Sequence, residues 1–159
     1  MKKLIFIFVL CVSFAHSMDI PNQQSEITYS LPVKETDRDA YVIDAFDKNL
    51  SIGYIDFGPD QLNQNFGTVN DMSVNQRYRK KGIGYKLFKK AIAELTKKNY
   101  RTIVWTAVPL EDTTLEELEK IYTSFIEKLQ KEMVFNFSME PRQKSGPRYI
   151  RSMKISFSN

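Results

Sequence analysis

The apolar pattern changes twice between Thr68 and Val108, and that change limits the folds open to the chain. Thr68 to Val74 reads as a strand. Ile83, Leu87, Phe88, Ala91, Ile92 and Leu95 then recur at spacings of three and four, which places them on one face of a helix from about Gly82 to Lys98. Lys86, Lys89, Lys90 and Lys97 occupy its other faces. The run Thr102 to Val108, bounded by Pro109, is compact and without alternation, and predicts a strand buried on both faces. Strand, helix and strand in this order make a βαβ unit with a parallel pair.

The flanking segments are read with the same rules. Ile27 to Val33, Tyr41 to Asp47 and Leu50 to Phe57 are short β-rich runs, and Asp47-Lys48-Asn49 joins the last two as a hairpin. Gly58-Pro59-Asp60 closes that unit, and the polar stretch to Asn65 is a loop. Thr113 and Thr114 each stand three residues before a glutamate, the capping-box spacing that starts a helix running to about Glu132. Leu115, Leu118, Tyr122, Phe125, Leu129 and Met133 form its apolar stripe. Val134 to Met139 and Tyr149 to Phe157 finish the chain as two strands around a polar loop with Pro141, Gly146 and Pro147. The class is α/β (α+β), a mixed central sheet flanked by helices.

Lys2 and Lys3 precede an apolar run from Leu4 to Ala15, followed by Ala15-His16-Ser17, a small-x-small cleavage pattern; residues 1–17 read as a secretory signal peptide. The run is 12 residues, short of the roughly 20 that cross a bilayer, so no stable membrane insertion is expected after its removal. The chain is expected to be exported, to the periplasm or beyond, and cytoplasmic if the segment is not used. Cleavage takes 17 of 159 residues and leaves 142, residues 18–159, enough for one domain. It also removes Lys2 and Lys3, leaving 21 basic and 19 acidic residues, so bulk attraction to nucleic acid is not implied. The only cysteine, Cys11, and the only histidine, His16, lie in the leader. The remaining domain can build no Ser-His-Asp or Cys-His mechanism, no His- or Cys-liganded zinc site and no disulfide. Asp, Glu, Lys, Tyr or water must do any acid-base work.

The stretch Met72-Ser73-Val74-Asn75-Gln76-Arg77-Tyr78-Arg79-Lys80-Lys81-Gly82-Ile83-Gly84 stands where the strand meets the helix. A helix start leaves amide N–H groups unpaired and partly positive, and Gly82 and Gly84 let a bulky diphosphate come close to them. Arg79, Lys80 and Lys81 repel that positive end unless an anion is present. The plain alternative is a tight turn carrying solvated lysines. A nucleic-acid contact from Arg77 to Lys81, with Tyr78 interleaved, is the third reading, and the near-neutral charge disfavours it.

These residues resemble the GNAT superfamily of N-acetyltransferases, whose pattern V-x-P-x-x-[R/Q]-x-x-G-x-[G/A] is met by Val74, Arg79, Gly82 and Gly84, with Gln76 at the usual proline. The order of elements is also similar to that fold. The resemblance implies an acyl-coenzyme A-dependent N-acyltransferase, with acetyl-CoA as co-substrate, no metal, and an amine acceptor on a small molecule, peptide or protein. It implies that the backbone of Met72 and Val74 pairs with the pantetheine arm and that amides from Arg79 through Lys80, Lys81, Gly82 and Ile83 to Gly84 hold the pyrophosphate. It places Tyr122 as general acid for the departing thiolate, although Tyr122 equally suits a core tyrosine with its hydroxyl paired. Asp71 and Glu111 are the nearby carboxylates for a general base, each otherwise a surface acid, and a water relay would also serve. A second class of function is a GNAT-like exported module that binds a nucleotide-like or peptide ligand without transfer.

Overall fold

The computed structural model describes residues 26–109, 113–146 and 148–158. The leader read at residues 1–17 and the candidate base Glu111 lie outside the described residues. Among the described residues, nine strands and two α-helices run in the order β1 (Ile27–Tyr29), β2 (Val33–Lys34), β3 (Tyr41–Asp47), β4 (Leu50–Pro59), β5 (Phe66–Val74), α1 (Ile83–Lys97), β6 (Thr102–Ala107), α2 (Leu115–Leu129), β7 (Asn136–Met139), β8 (Gln143–Ser145) and β9 (Arg148–Ser156). The main sheet has the order β1-β3-β4-β5-β6-β9-β7, with β2 also on β3 and β8 also on β9. All pairs are antiparallel except β5 with β6, the parallel pair expected from the βαβ pattern.

Local chemistry explains most boundaries. Asp47 pairs with Leu50, so Lys48 and Asn49 form the hairpin turn, with Lys48 at φ 57°. Thr114, not Thr113, caps α2: its hydroxyl accepts from Glu117 N–H at 3.2 Å while the Glu117 carboxylate accepts from Thr114 N–H at 2.8 Å.

Three expectations are corrected. The run Ile27 to Val33 divides into β1 and β2, with Ser30 N–H donating to Asp44 O at the break. The polar loop before the last strand contains β8, which folds back on β9. Finally, β6 is not buried on both faces: Ile103, Trp105 and Ala107 are sealed, whereas Thr106 is exposed. Thr106 pairs with Ser152 of β9, so the apolar run buries only one of its two faces fully.

The core lies where the helices meet the sheet. Phe88 of α1 is fully buried and packs edge-on against Trp105 of β6, with centroids 5.2 Å apart, and against Tyr122 and Phe125 of α2 at 5.8 and 5.7 Å. Such ring pairs add to the burial of large apolar area, so this cluster fixes the helices relative to β6.

One irregularity positions everything that follows. Asp56 pairs with Asp71 but Phe57 with Val69, which leaves Asn70 as the extra residue of a β-bulge in β5. The parallel ladder from Phe66–Thr102 to Val69–Trp105 ends at the same point. Beyond it β5 continues along β4 and β6 continues along β9, so the two central strands separate.

Candidate active site

The separation exposes one edge of the second half of β5. Alternate residues of an antiparallel strand turn their N–H and C=O groups to opposite sides. Asn75 N–H donates to Ile52 O of β4 at 2.8 Å, so Val74 and Met72 turn theirs toward the gap. Their contacts agree. Val74 O accepts from Arg79 Nε at 3.2 Å, and Met72 N–H donates to Asp71 Oδ1 at 2.8 Å.

At the mouth of the gap the chain makes one 3-10 turn, Gln76–Tyr78, capped by the Asn75 side chain accepting from Arg77 N–H at 3.1 Å. It then passes through two left-handed residues, Lys80 at φ 62° and Gly82 at φ 78°. Gly82 is the N-cap of α1, no side chain bonds across that cap, and no acidic residue stands in the first turn. The first bond of the helix runs from Lys86 N–H to Gly82 O, so the amides of Ile83, Gly84 and Tyr85 come before it. Arg79, Lys80 and Lys81 are exposed around them. Ile83 is buried at its side chain and has only its amide to offer.

The two glycines act differently. A Cβ on Gly82 would meet nothing within 4 Å, so Gly82 serves its left-handed φ. A Cβ on Gly84 would stand 3.4 Å from Phe125 Cζ, 3.8 Å from Val74 Cγ2 and 4.0 Å from Met72 Cε. Gly84 therefore marks where α1, the separated end of β5 and α2 converge.

Tyr122 comes to this point from α2. Its ring lies 5.8 Å from Trp105 on β6, and its pKa is pushed up to about 12, first by burial and then by the charge of Asp71 on β5. The residue is half-buried, its ring packed against Phe88, Trp105 and Phe125. Asp71 itself is held from two sides, by Met72 N–H and by the Tyr54 hydroxyl donating to Oδ2. That bond is the main cause of the Tyr54 pKa also rising to about 12.

The structure thus brings together Met72, Val74, Arg79, Gly82, Ile83, Gly84, Asp71 and Tyr122. Sequence reasoning missed Tyr54, whose partnership with Asp71 depends on strand register. It also missed Asn75, although an Asn directly after a strand and before a turn is a recognisable cap signal. Among the described residues no group of three or more His, Cys, Asp or Glu could hold a metal ion, and no helix is long and apolar enough to cross a membrane. A groove of about 460 Å³ on the outer side of α2, lined by Glu116, Glu119, Glu127, Met139 and Arg142 among others, shares no residue with the gap.

A mixed sheet whose central parallel strands part beside an uncapped, cation-flanked helix start is the architecture of acyl-CoA-dependent N-acyltransferases. The profile of the Acetyltransferase (GNAT) family matches residues 11–118, and the chain belongs to that family. Solved structures agree in fold. An acetyltransferase of Bacillus subtilis in complex with CoA is 11% identical, with a TM-score of 0.56 over 84% of this chain and 100% of that one. A GNAT-family protein from Desulfovibrio desulfuricans is 13% identical, with a TM-score of 0.58 over 74% of this chain and 68% of that one. Diaminobutyrate acetyltransferase from Paenibacillus lautus, in complex with L-2,4-diaminobutyric acid and coenzyme A, is 13% identical, with a TM-score of 0.55 over 74% and 72%. At such identities the likeness is one of fold. No curated protein matches the sequence.

Proposed function

We propose that the domain moves an acetyl group from acetyl-CoA to a primary amine by direct attack in a ternary complex. The observation that carries this reading is the uncapped start of α1, at Ile83 and Gly84, set against the separated edge of β5. Acetyl-CoA supplies a thioester carbonyl for attack and a thiolate as leaving group. The amides of α1 and the cations Arg79, Lys80 and Lys81 bind its diphosphate. Met72 and Val74 offer the pantetheine arm backbone groups on the edge of β5, where Met72 N–H now donates to Asp71 Oδ1 and Val74 O accepts from Arg79 Nε.

The other two roles follow from charge. An acceptor amine must lose a proton, and Asp71, oriented by Tyr54, takes it directly or through water. The departing thiolate must gain one. Tyr122, with its pKa near 12, holds its proton at neutral pH. The mature domain needs no nucleophilic residue of its own, because holding two substrates together supplies much of the acceleration.

Among structurally similar proteins, one binds diaminobutyric acid and another a peptide with CoA, which suits a primary amine on a small molecule or a chain. The proposal includes export by residues 1–17, on the basic-apolar-small pattern of that segment. Export would part the domain from cytoplasmic acetyl-CoA, and this favours a second reading, a binding module without transfer. Calorimetry with coenzyme A tests the site, and release of free thiol with an amine panel separates catalysis from binding. Absence of coenzyme A binding by the wild-type protein would sink the transfer reading. The mature N-terminus and its cell fraction decide the leader.

A further inference from the structure

The loop from Asn75 to Gly82 is bonded within itself by Arg77 N–H to the Asn75 side chain, Tyr78 N–H to Asn75 O and Arg79 N–H to Gln76 O, and to its flanking elements by Asn75 N–H to Ile52 O, Arg79 Nε to Val74 O and Lys86 N–H to Gly82 O. A distant contact ties it down. The Tyr78 hydroxyl donates to Asp47 Oδ2 at 2.8 Å, across 31 residues of sequence, at the turn of the β3–β4 hairpin. The ring of Tyr78 in turn lies under Lys81 Nζ, 4.9 Å from its centroid. Asp47, Tyr78 and Lys81 therefore form a chain of contacts from the hairpin to a cation of the diphosphate loop.

Asp47 is unusual for a residue at a hairpin turn. Its second oxygen, Oδ1, is sealed from solvent and has no hydrogen-bond partner. A carboxylate oxygen left in that state costs free energy that turning toward water would relieve. The carboxylate is held inward, in the orientation that receives Tyr78. The loop also contains two residues at positive φ, one of them Lys80, and Tyr78 is the residue of its 3-10 turn that packs, half-buried, against the core.

We infer that Asp47 and Tyr78 are positioning residues for coenzyme A: they set the loop and Lys81 in the place from which the α1 amides and the loop cations grip the diphosphate. The inference rests on the coenzyme A reading above. A loop held in its binding position loses less freedom on binding, so the tether shows in affinity.

The test measures coenzyme A affinity by calorimetry, and the melting temperature, for the full chain and three variants. Tyr78→Phe keeps the ring beneath Lys81 and removes the hydroxyl; it is expected to weaken coenzyme A binding roughly tenfold, the size of one lost hydrogen bond to a charged group. Asp47→Ala is expected to match it. Asp47→Asn retains an oxygen that can accept from Tyr78 and is expected to stay within about threefold of wild type. Combining Tyr78→Phe with Asp47→Ala should cost no more than either alone, since both break one link. Unchanged affinity in Tyr78→Phe overturns the inference. So does equal loss in Asp47→Asn and Asp47→Ala, which would make Asp47 a fold residue only. A wild-type chain that does not bind coenzyme A removes the functional reading instead, and is told apart because no variant is needed to see it.

Discussion

Asp71 on β5 lies close enough to Tyr122 on α2 for its charge to raise the pKa of the tyrosine hydroxyl, across the gap where β5 and β6 separate. Burial acts in the same direction and is the larger cause. A phenol kept protonated, its ring packed against Phe88 and Trp105 beside the junction of two strands, is suited to giving up a proton in a reaction there. Tyr122→Phe should therefore reduce kcat by about 10²-fold or more while coenzyme A affinity stays within about twofold. Steady-state rates and calorimetry on the same preparation check this, and a fall in affinity equal to the fall in rate would count against the assignment.

The same pKa makes a statement about pH. The folded value of about 12 is above the ordinary value of 10.0, so the folded state holds the proton more tightly than the unfolded one. Its stabilising contribution is complete below pH 10 and is lost as pH rises through about 12. A melting series in the alkaline range, wild type against Tyr122→Phe, should show the wild type losing the larger share of stability. On the activity side, no alkaline limb near neutral pH should trace to this residue.

Gly84→Glu brings a negative charge to the helix start where the diphosphate is to sit, on a Cβ 3.4 Å from Phe125 Cζ. Coenzyme A binding should fall below detection, while circular dichroism shows the fold retained. Helix dipoles favour an acidic residue in the first turn, so the loss would not reflect a weakened α1. A Gly84→Glu protein that still binds coenzyme A would refute the site.

Gly82→Ala separates conformation from space. No atom lies within 4 Å of the added Cβ, so the cost is the left-handed backbone alone, about 1 kcal/mol. Melting should fall by roughly 3–5 °C. Gly82→Asn should lose less, because asparagine tolerates that region.

Glu119 gives an acid-side test remote from the gap. Arg142 donates to it at 3.1 and 2.8 Å, and Arg151 Nε stands 3.1 Å away; the Arg142 hydrogen bonds hold its carboxyl below the ordinary carboxylate value. A depressed folded pKa contributes stability above the unfolded value of about 4.5, lost as pH falls through the folded one. Glu119→Gln should thus melt below wild type near neutral pH, with the difference closing in acid. A constant difference across the series would show that the ion pair is not its source.

Sequence periodicity and local chemistry determined the parts of this protein that depend on neighbours along the chain. The amphipathic α1, the capping box of α2, the hairpin at Lys48 and Asn49 and the glycine-bearing start of α1 all follow from contacts within a few residues. The βαβ order then implied the parallel pair, and the motif from Val74 to Gly84 pointed to a diphosphate. Tertiary structure decided the rest. The bulge at Asn70 that parts β5 from β6 is a matter of register with β4. The approach of Asp71 to Tyr122, the support of Asp71 by Tyr54, and the hold of Asp47 on Tyr78 each join residues far apart in sequence. No local pattern encodes such contacts, because they form only when packing of the whole sheet and both helices has chosen one register among several that the same runs of residues allow.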